Sequence, residues 1–340
     1  MQEKIRVLIV EDSVFVRQAI KSVLNSDPDI QVIGTAKDGK EAIEKNTVLK
    51  PNVITMDINM PEMSGLEAIE RIMEEQPVPI VVVSSMDVNV VIKALAIGAM
   101  DFVSVTQDIE QVAKDLIEKV KISSRVKPLR RMKINASPVD SKLVQKKEIF
   151  RIVAVGISTG GPQALEMFLS NLPKDFPAGI LIVQHISKGF IDRLAEWLNL
   201  HCPLDVRVAK AGETLKSSTV LIAADDYNLT IYSKDTIVLS EGAKNALHVP
   251  SIDVMMKSVA DVYGEHAIGV VMTGMGYDGV EGIRAIKNAG GVTIAQDEKS
   301  SAIFGMNKAA IETGCVDKIV SLDKIAGELI KLVGQGEGNV

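Results

Sequence analysis

At 340 residues, the chain is long enough for two domains, each with a core of its own. Its 46% hydrophobic and 24% charged residues, a net charge of −6 and the lack of any run of about 18 apolar residues exclude a disordered chain and membrane insertion. Two distant cysteines, Cys202 and Cys315, with no CxxC pair and only four histidines, argue against a disulfide framework or a Cys/His metal cluster, and favour a reducing cytoplasm.

"MQEKIRVLIVED" reads as a first strand ending in two acids, not as a signal peptide. The strand is followed by "SVFVRQAIKSVLN", which has helical spacing with Ser13 as its cap. "IQVIGTA" is a strand and "DGKEAIEKNTVLK" a helix. "PNVITMDINM" is a strand carrying Asp57, and "SGLEAIERIMEE" is a helix. "PIVVVSSM" is a strand ending in Ser84 and Ser85, and "VVIKALAIGA" is a helix. "MDFVSVT" and "IEQVAKDLIEKVKIS" complete five strand–helix units in residues 1–120. Such alternation implies a parallel sheet with helices on both faces and a site beyond the C-terminal strand ends. Glu11 and Asp12 close the first strand, Asp57 the third and Ser84 the fourth. One acid after a strand is an ordinary helix cap. Three that converge repel one another unless a hard cation neutralises them, and oxygen ligands suit Mg²⁺.

Residues 121–148 form a basic stretch. From Lys121 to Lys147 there are nine lysines or arginines against one acid, Asp140. The segment lacks aromatics for base stacking and its periodicity is weak. We therefore read it as a solvated linker and expect no nucleic-acid partner.

Alternation resumes over 149–335. "FRIVAVGIS", "AGILIVQHI", "AIGVVMTGM", "GVTIAQD" and "VDKIVS" are strands with helical segments between them. A β-rich interlude, "LDVRVA", "STVLIAADDYNLTIY" and "TIVLSE", suggests an inserted hairpin. The fold class is α/β throughout: an N-terminal five-unit βα domain, then a doubly wound, mainly parallel-sheet domain with a β-hairpin insertion.

In "VAVGISTGGP" an apolar strand ends in Ser158, Thr159 and two glycines. His185 ends the next strand and Asp278 follows "IGVVMTGM". All three fall on one edge of the sheet. A serine needs a base to take its proton, and a carboxylate to fix the tautomer of that base. Gly156, Gly160 and Gly161 allow a sharp turn with free backbone N–H groups. Two other readings fit less well. A nucleophile elbow expects the order serine, acid, histidine, which His185 breaks, while His248 lies in an apparent loop and His266 on the wrong edge. A dinucleotide loop expects GxGxxG, and the glycines have other spacings.

Residues 1–120 resemble a two-component receiver domain on Glu11-Asp12, "MDINMPEMSG" around Asp57, "VVVSS" with Ser84, and "AIGAMDFV". The resemblance implies that a histidine kinase phosphorylates Asp57, that Glu11, Asp12 and Asp57 hold Mg²⁺, and that Ser84 senses the phosphoryl oxygen. Receivers usually end the fifth strand with lysine and proline, whereas this chain has Val105 and Thr106. Residues 149–335 resemble the catalytic domain of the CheB family on "GISTGGP", "VQHISKGF", "VLIAADDY", "PSIDVMMKSVA", "VMTGMGYDGVEGI" and "AQDEKSSAIFGMNKAAIETG". This second resemblance implies hydrolysis of glutamate methyl esters on methyl-accepting chemoreceptors, often with deamidation of receptor glutamines. Ser158 is then the nucleophile, His185 the base and Asp278 its orienter. Thr159 and Met275 line the site, with N–H groups near the oxyanion, and the hydrolase site needs no cofactor. The family commonly has arginine, histidine and proline where Val249, Asn228 and Asn307 stand. Alternatives are a scaffold with weakened catalysis, or a triad hydrolase acting on another signalling protein.

Overall fold

The computed structural model describes residues 3–84, 88–105, 109–126, 128, 151–244 and 246–334. The chain divides into two units, Met1–Lys133 and Ile134–Val340.

In the first unit the strands β1 (Ile5–Val10), β2 (Ile30–Ala36), β3 (Val53–Met56), β4 (Ile80–Ser84) and β5 (Asp101–Ser104) alternate with five helices. These are α1 (Val14–Asn25), α2 (Gly39–Leu49), α3 (Gly65–Glu75), α4 (Val88–Ala96) and α5 (Ile109–Ser123). Near-continuous apolar runs make the strands, because a parallel sheet covered on both faces buries every position. Val7, Ile9, Val53, Val81 and Val103 accordingly sit in one core with Leu24, Leu116 and Val120 from α1 and α5. Ser13 caps α1, and Ser64 with Glu67 forms a capping box on α3. The parallel order is β2-β1-β3-β4-β5. The chain steps from β1 to β2 and back across to β3, so the crevice of the sheet opens between β1 and β3. α5 runs three residues into the expected linker, and residues 129–148 of that linker lie outside the described residues.

The second unit holds β6 (Arg151–Ile157), β7 (Ala178–Gln184), β8 (Asp205–Val208), β9 (Thr219–Ile222), β10 (Tyr227–Tyr232), β11 (Thr236–Glu241), β12 (Ala267–Val271), β13 (Val292–Gln296) and β14 (Lys318–Val320). Its helices are α6 (Gly161–Ser170), α7 (Ile191–His201), α8 (Ile252–Tyr263), α9 (Val280–Asn288), α10 (Met306–Glu312) and α11 (Leu322–Gly334). Seven strands form one parallel sheet in the order β14-β13-β12-β6-β7-β9-β8. β10 and β11 pair as an antiparallel hairpin, the expected insertion. The interlude is not all hairpin, however. "VLI" and "DVRV" belong to the main sheet as β9 and β8, and the break at Ala223–Asp226, where Asp226 has a φ of 65°, separates β9 from β10. β6 is the topological switch: the chain leaves it towards β7 and returns on its other side at β12.

Candidate active site and phosphoacceptor site

At the end of β1 and β3, the ligand atoms of Glu11, Asp12 and Asp57 all lie within 4.8 Å of one another. The backbone sets this up: the Asp57 N–H donates to Val10 O at 2.9 Å, and the Glu11 N–H donates to Ala36 O at 3.0 Å. Burial, then the charge of Asp57, push the Glu11 carboxyl up to about 7. Burial also raises Asp57, against the N–H groups of Ile58 and Asn59. Charge so crowded suits a divalent cation, and the all-oxygen donor set suits a hard one. Among the described residues no lysine or arginine pairs with these carboxylates. The Arg17 guanidinium donates to the backbone carbonyls of Glu11 and Asp12 rather than to the carboxylates.

Ser84 ends β4 at the same edge and is buried. Its carbonyl accepts the Val105 N–H at 3.1 Å, so Val105 stands beside Ser84 with its side chain 43% exposed. Lys119 on α5 does not stand in for a lysine at position 105. Its ammonium lies 3.3 Å from Asp101 and 3.4 Å from Asp115, over the Phe102 ring.

In the second unit the three expected residues converge. Ser158 follows β6 and its N–H donates to Thr273 O, just past β12, at 3.0 Å. His185 follows β7 and its N–H donates to Ile157 O at 3.0 Å. Asp278 precedes α9, and its Oδ2 lies 3.0 Å from His185 Nε2. The ring is turned off a straight hydrogen-bond line, so the two groups are paired by proximity more than by alignment. With its proton on Nε2, facing the carboxylate, the imidazole keeps Nδ1 free to accept one. Among the described residues the Ser158 hydroxyl makes no hydrogen bond, so the serine–histidine contact is open here, as in many apo sites.

Asp278 is held from three further directions. Its Oδ1 accepts from the Ser251 hydroxyl at 3.0 Å and from the Asp253 N–H at 2.9 Å. Its Oδ2 accepts from the Ile252 N–H at 2.8 Å. Burial works against its charge, but His185 and the N–H groups of Asp253 and Ile252 outweigh it and hold the carboxyl at about 2. The carboxylate thus sits on the positive end of α8. Ser251 is braced in turn, because its N–H donates to Asn228 Oδ1 at 2.9 Å. Sequence reasoning missed this role of Ser251. "PSID" before an apolar helix was the available signal for a cap, but nothing in it names the carboxylate that shares the cap.

Gln184 was also missed. Its buried side chain donates from Nε2 to Ser158 O at 2.9 Å and to His185 O at 2.8 Å, so one amide ties both turns together. A Cβ on Gly161 would stand 1.8 Å from Gln184 Oε1, and one on Gly274 would stand 2.6 Å from Ser158 Cβ. Both glycines are close-approach positions. Thr159 follows Ser158, and Met275 follows Gly274, which packs closely against Ser158. The N–H groups of Thr159 and Met275 make no hydrogen bond among the described residues, whereas that of Ser158 is already used. Of the residues that depart from the family pattern, Asn307 is buried and donates to Gln296 O and Ser301 Oγ, and Val249 packs on Gly242.

The Asp297 carboxylate accepts from the N–H and hydroxyl of Ser300. A second histidine does reach the site: the His248 ring stacks on that of His185.

Residues 153–329 match the family model described as CheB methylesterase, and residues 7–117 match that of the response regulator receiver domain. A protein of Pyrococcus horikoshii named protein-glutamate methylesterase/protein-glutamine glutaminase is 40% identical, over 100% of this chain and 97% of its own. One of Nitrosospira multiformis with the same name is 42% identical, over 97% and 98%. The crystal structure of the Thermotoga maritima CheB methylesterase catalytic domain aligns with a TM-score of 0.53 at 38% identity, covering 54% of this chain and 98% of that one.

Proposed function

The chain belongs to the CheB methylesterase family, with a receiver domain ahead of its catalytic unit, and on that premise we propose how its residues divide the work. It is a hydrolase of chemotaxis, acting on protein glutamate methyl esters and regulated through its receiver. Ser158 Oγ attacks the ester carbonyl of a receptor glutamate while His185 Nδ1 takes the serine proton. Asp278, charged and fixed at the start of α8, holds the ring and stabilises the imidazolium. The N–H groups of Thr159 and Met275 receive the oxyanion. His185 returns the proton to the leaving methoxide, methanol departs, and water attacks the acyl-serine by the same base to release the glutamate carboxylate. A receptor glutamine follows the same course with ammonia as the leaving group.

In the receiver, Asp57 accepts a phosphoryl group from a histidine kinase. Glu11, Asp12 and Asp57 are the residues that would hold Mg²⁺, which supplies charge neutralisation for the transfer. Ser84 offers its hydroxyl to the phosphoryl oxygen. Two free cysteines suit work in a reducing cytoplasm.

One observation carries the catalytic reading. The 3.0 Å His185–Asp278 pair stands at the strand end that is hydrogen-bonded to the turn of Ser158. The test is methanol release from methylated chemoreceptor by the full chain, with and without a small phosphodonor and Mg²⁺. A wild-type rate above background, raised by phosphodonor and not raised in Asp57→Asn, is the expected result. No release above background would refute the reading.

A further inference from the structure

The face of the His185 imidazole is covered by another imidazole. The rings of His185 and His248 have centroids 4.6 Å apart and planes 17° from parallel. His248 lies three residues before Ser251, the cap of α8 that also bonds Asp278. The stretch that fixes the orienting carboxylate therefore also lays a ring on the base. His185 is gripped at its Nε2 edge by Asp278 and on its face by His248.

His248 makes no ion pair among the described residues. Burial, then the neighbouring His185, push its pKa below the ordinary histidine value, against the pull of Asp278. Asp253 stands behind Asp278, with the Lys257 ammonium acting on it from further along α8. Burial and the neighbouring His185 thus disfavour a charge on His248, and its stacked ring meets His185 as an aromatic face.

Resting on the triad assignment above, we propose that His248 is a positioning residue for the base. Its neutral ring fixes the plane of His185 and stabilises the imidazolium that forms when Ser158 gives up its proton. A neutral aromatic face attracts a cation more than a neutral ring, so the contact strengthens as His185 takes up charge. An interaction stronger in the transition state than in the ground state acts on kcat and leaves KM alone. The size of cation–aromatic contacts sets the expected effect at about 3- to 30-fold in kcat.

The test compares His248→Leu, which keeps bulk without a π face, His248→Ala, and His248→Phe, which keeps the face without a titrating group. Methanol release by the full chain gives kcat, KM and the pH–rate profile. The ¹⁵N spectrum of the His185 ring gives its tautomer with no need for turnover. The Leu and Ala variants should lose about 3- to 30-fold in kcat with KM within about twofold, and their His185 signal should change from one tautomer to a mixture. The Phe variant should recover most of the lost kcat and the single tautomer. Its acid limb should lie close to the wild-type pH, since burial already disfavours the charged form of His248. Unchanged kcat in Leu and Ala, a Phe variant as poor as Leu, or a loss confined to KM would each overturn the proposal. Failure of the triad itself would show differently, as wild-type turnover in His185→Ala.

Discussion

Asp278 and Asp253 exchange helix ends. Asp278 precedes α9 but accepts the N–H groups of Ile252 and Asp253 at the start of α8. Asp253 lies in α8 but accepts those of Gly279 and Gly282 at the start of α9, at 2.9 and 2.7 Å. Each carboxylate satisfies donors that the other's helix leaves orphaned. The position of Asp278 beside His185 is therefore set by two helices at once.

Asp278→Asn should leave this frame standing while weakening the hold on the His185 tautomer. By analogy with other triads, kcat should fall about 10⁴-fold. Asp253→Asn should cost about 1–3 kcal/mol of stability through a weaker buried acceptor, yet keep kcat within about tenfold. Steady-state methanol release and thermal melts of the two variants check this. An Asp278→Asn enzyme within tenfold of wild type would mean that another group orients His185.

The charge of Asp278 has a pH signature. Its folded-state value of about 2 lies below the ordinary aspartate value of 3.8. A depressed carboxylate contributes stability that is fully present above its unfolded value and is lost as pH falls through its folded value. The stability gap between wild type and Asp278→Asn should hold above pH 4 and shrink as pH falls towards 2. Denaturant melts at several pH values measure it. A gap that closes between pH 7 and 5 would contradict the assignment.

Gly161 and Gln184 should behave as one unit. Gly161→Ala drives a Cβ into Gln184 Oε1, and the amide cannot yield without releasing the carbonyls of Ser158 and His185. Displaced catalytic turns typically cost about 10²-fold. Gln184→Ala should also lose activity. The double variant should be no worse than Gln184→Ala, because the clash has gone. Additive losses would show that Gly161 acts through some other neighbour.

Much of this was legible in the sequence, and the reasons are physical. The strands were readable because buried parallel strands are unbroken apolar runs. That the acids gather at one set of strand ends, and Ser158, His185 and Asp278 at another, was readable because that edge of such a sheet is where polar residues converge. Which strands of the β-rich interlude form the hairpin was not legible, because short strands look alike whether they pair parallel or antiparallel. His248, Ser251 and Gln184 stayed hidden for a different reason. Their work depends on which distant backbone each meets, and no spacing along the chain records that.

Val105 bears on the receiver. It stands beside Ser84, with no charge to offer a phosphoryl group on Asp57. A charge-assisted contact is worth about 1.5–3 kcal/mol, or roughly 10- to 100-fold in a switch equilibrium. Phosphodonor should therefore activate the natural chain weakly, and Val105→Lys should increase the fold-activation, with Asp57→Asn as the unphosphorylatable control. Strong activation of the natural chain, unchanged by Val105→Lys, would show that this switch works without a cation at the strand end.

The nucleophile is the centre of the account, and one rate decides it. Ser158→Ala removes a single hydroxyl from a turn whose backbone bonds to Thr273, Gln184 and Gly161 remain. Methanol release from methylated chemoreceptor should fall by about 10⁶-fold, the usual cost of losing a triad serine, with an unchanged melting temperature. A folded Ser158→Ala protein that retained a tenth of wild-type turnover would contradict it.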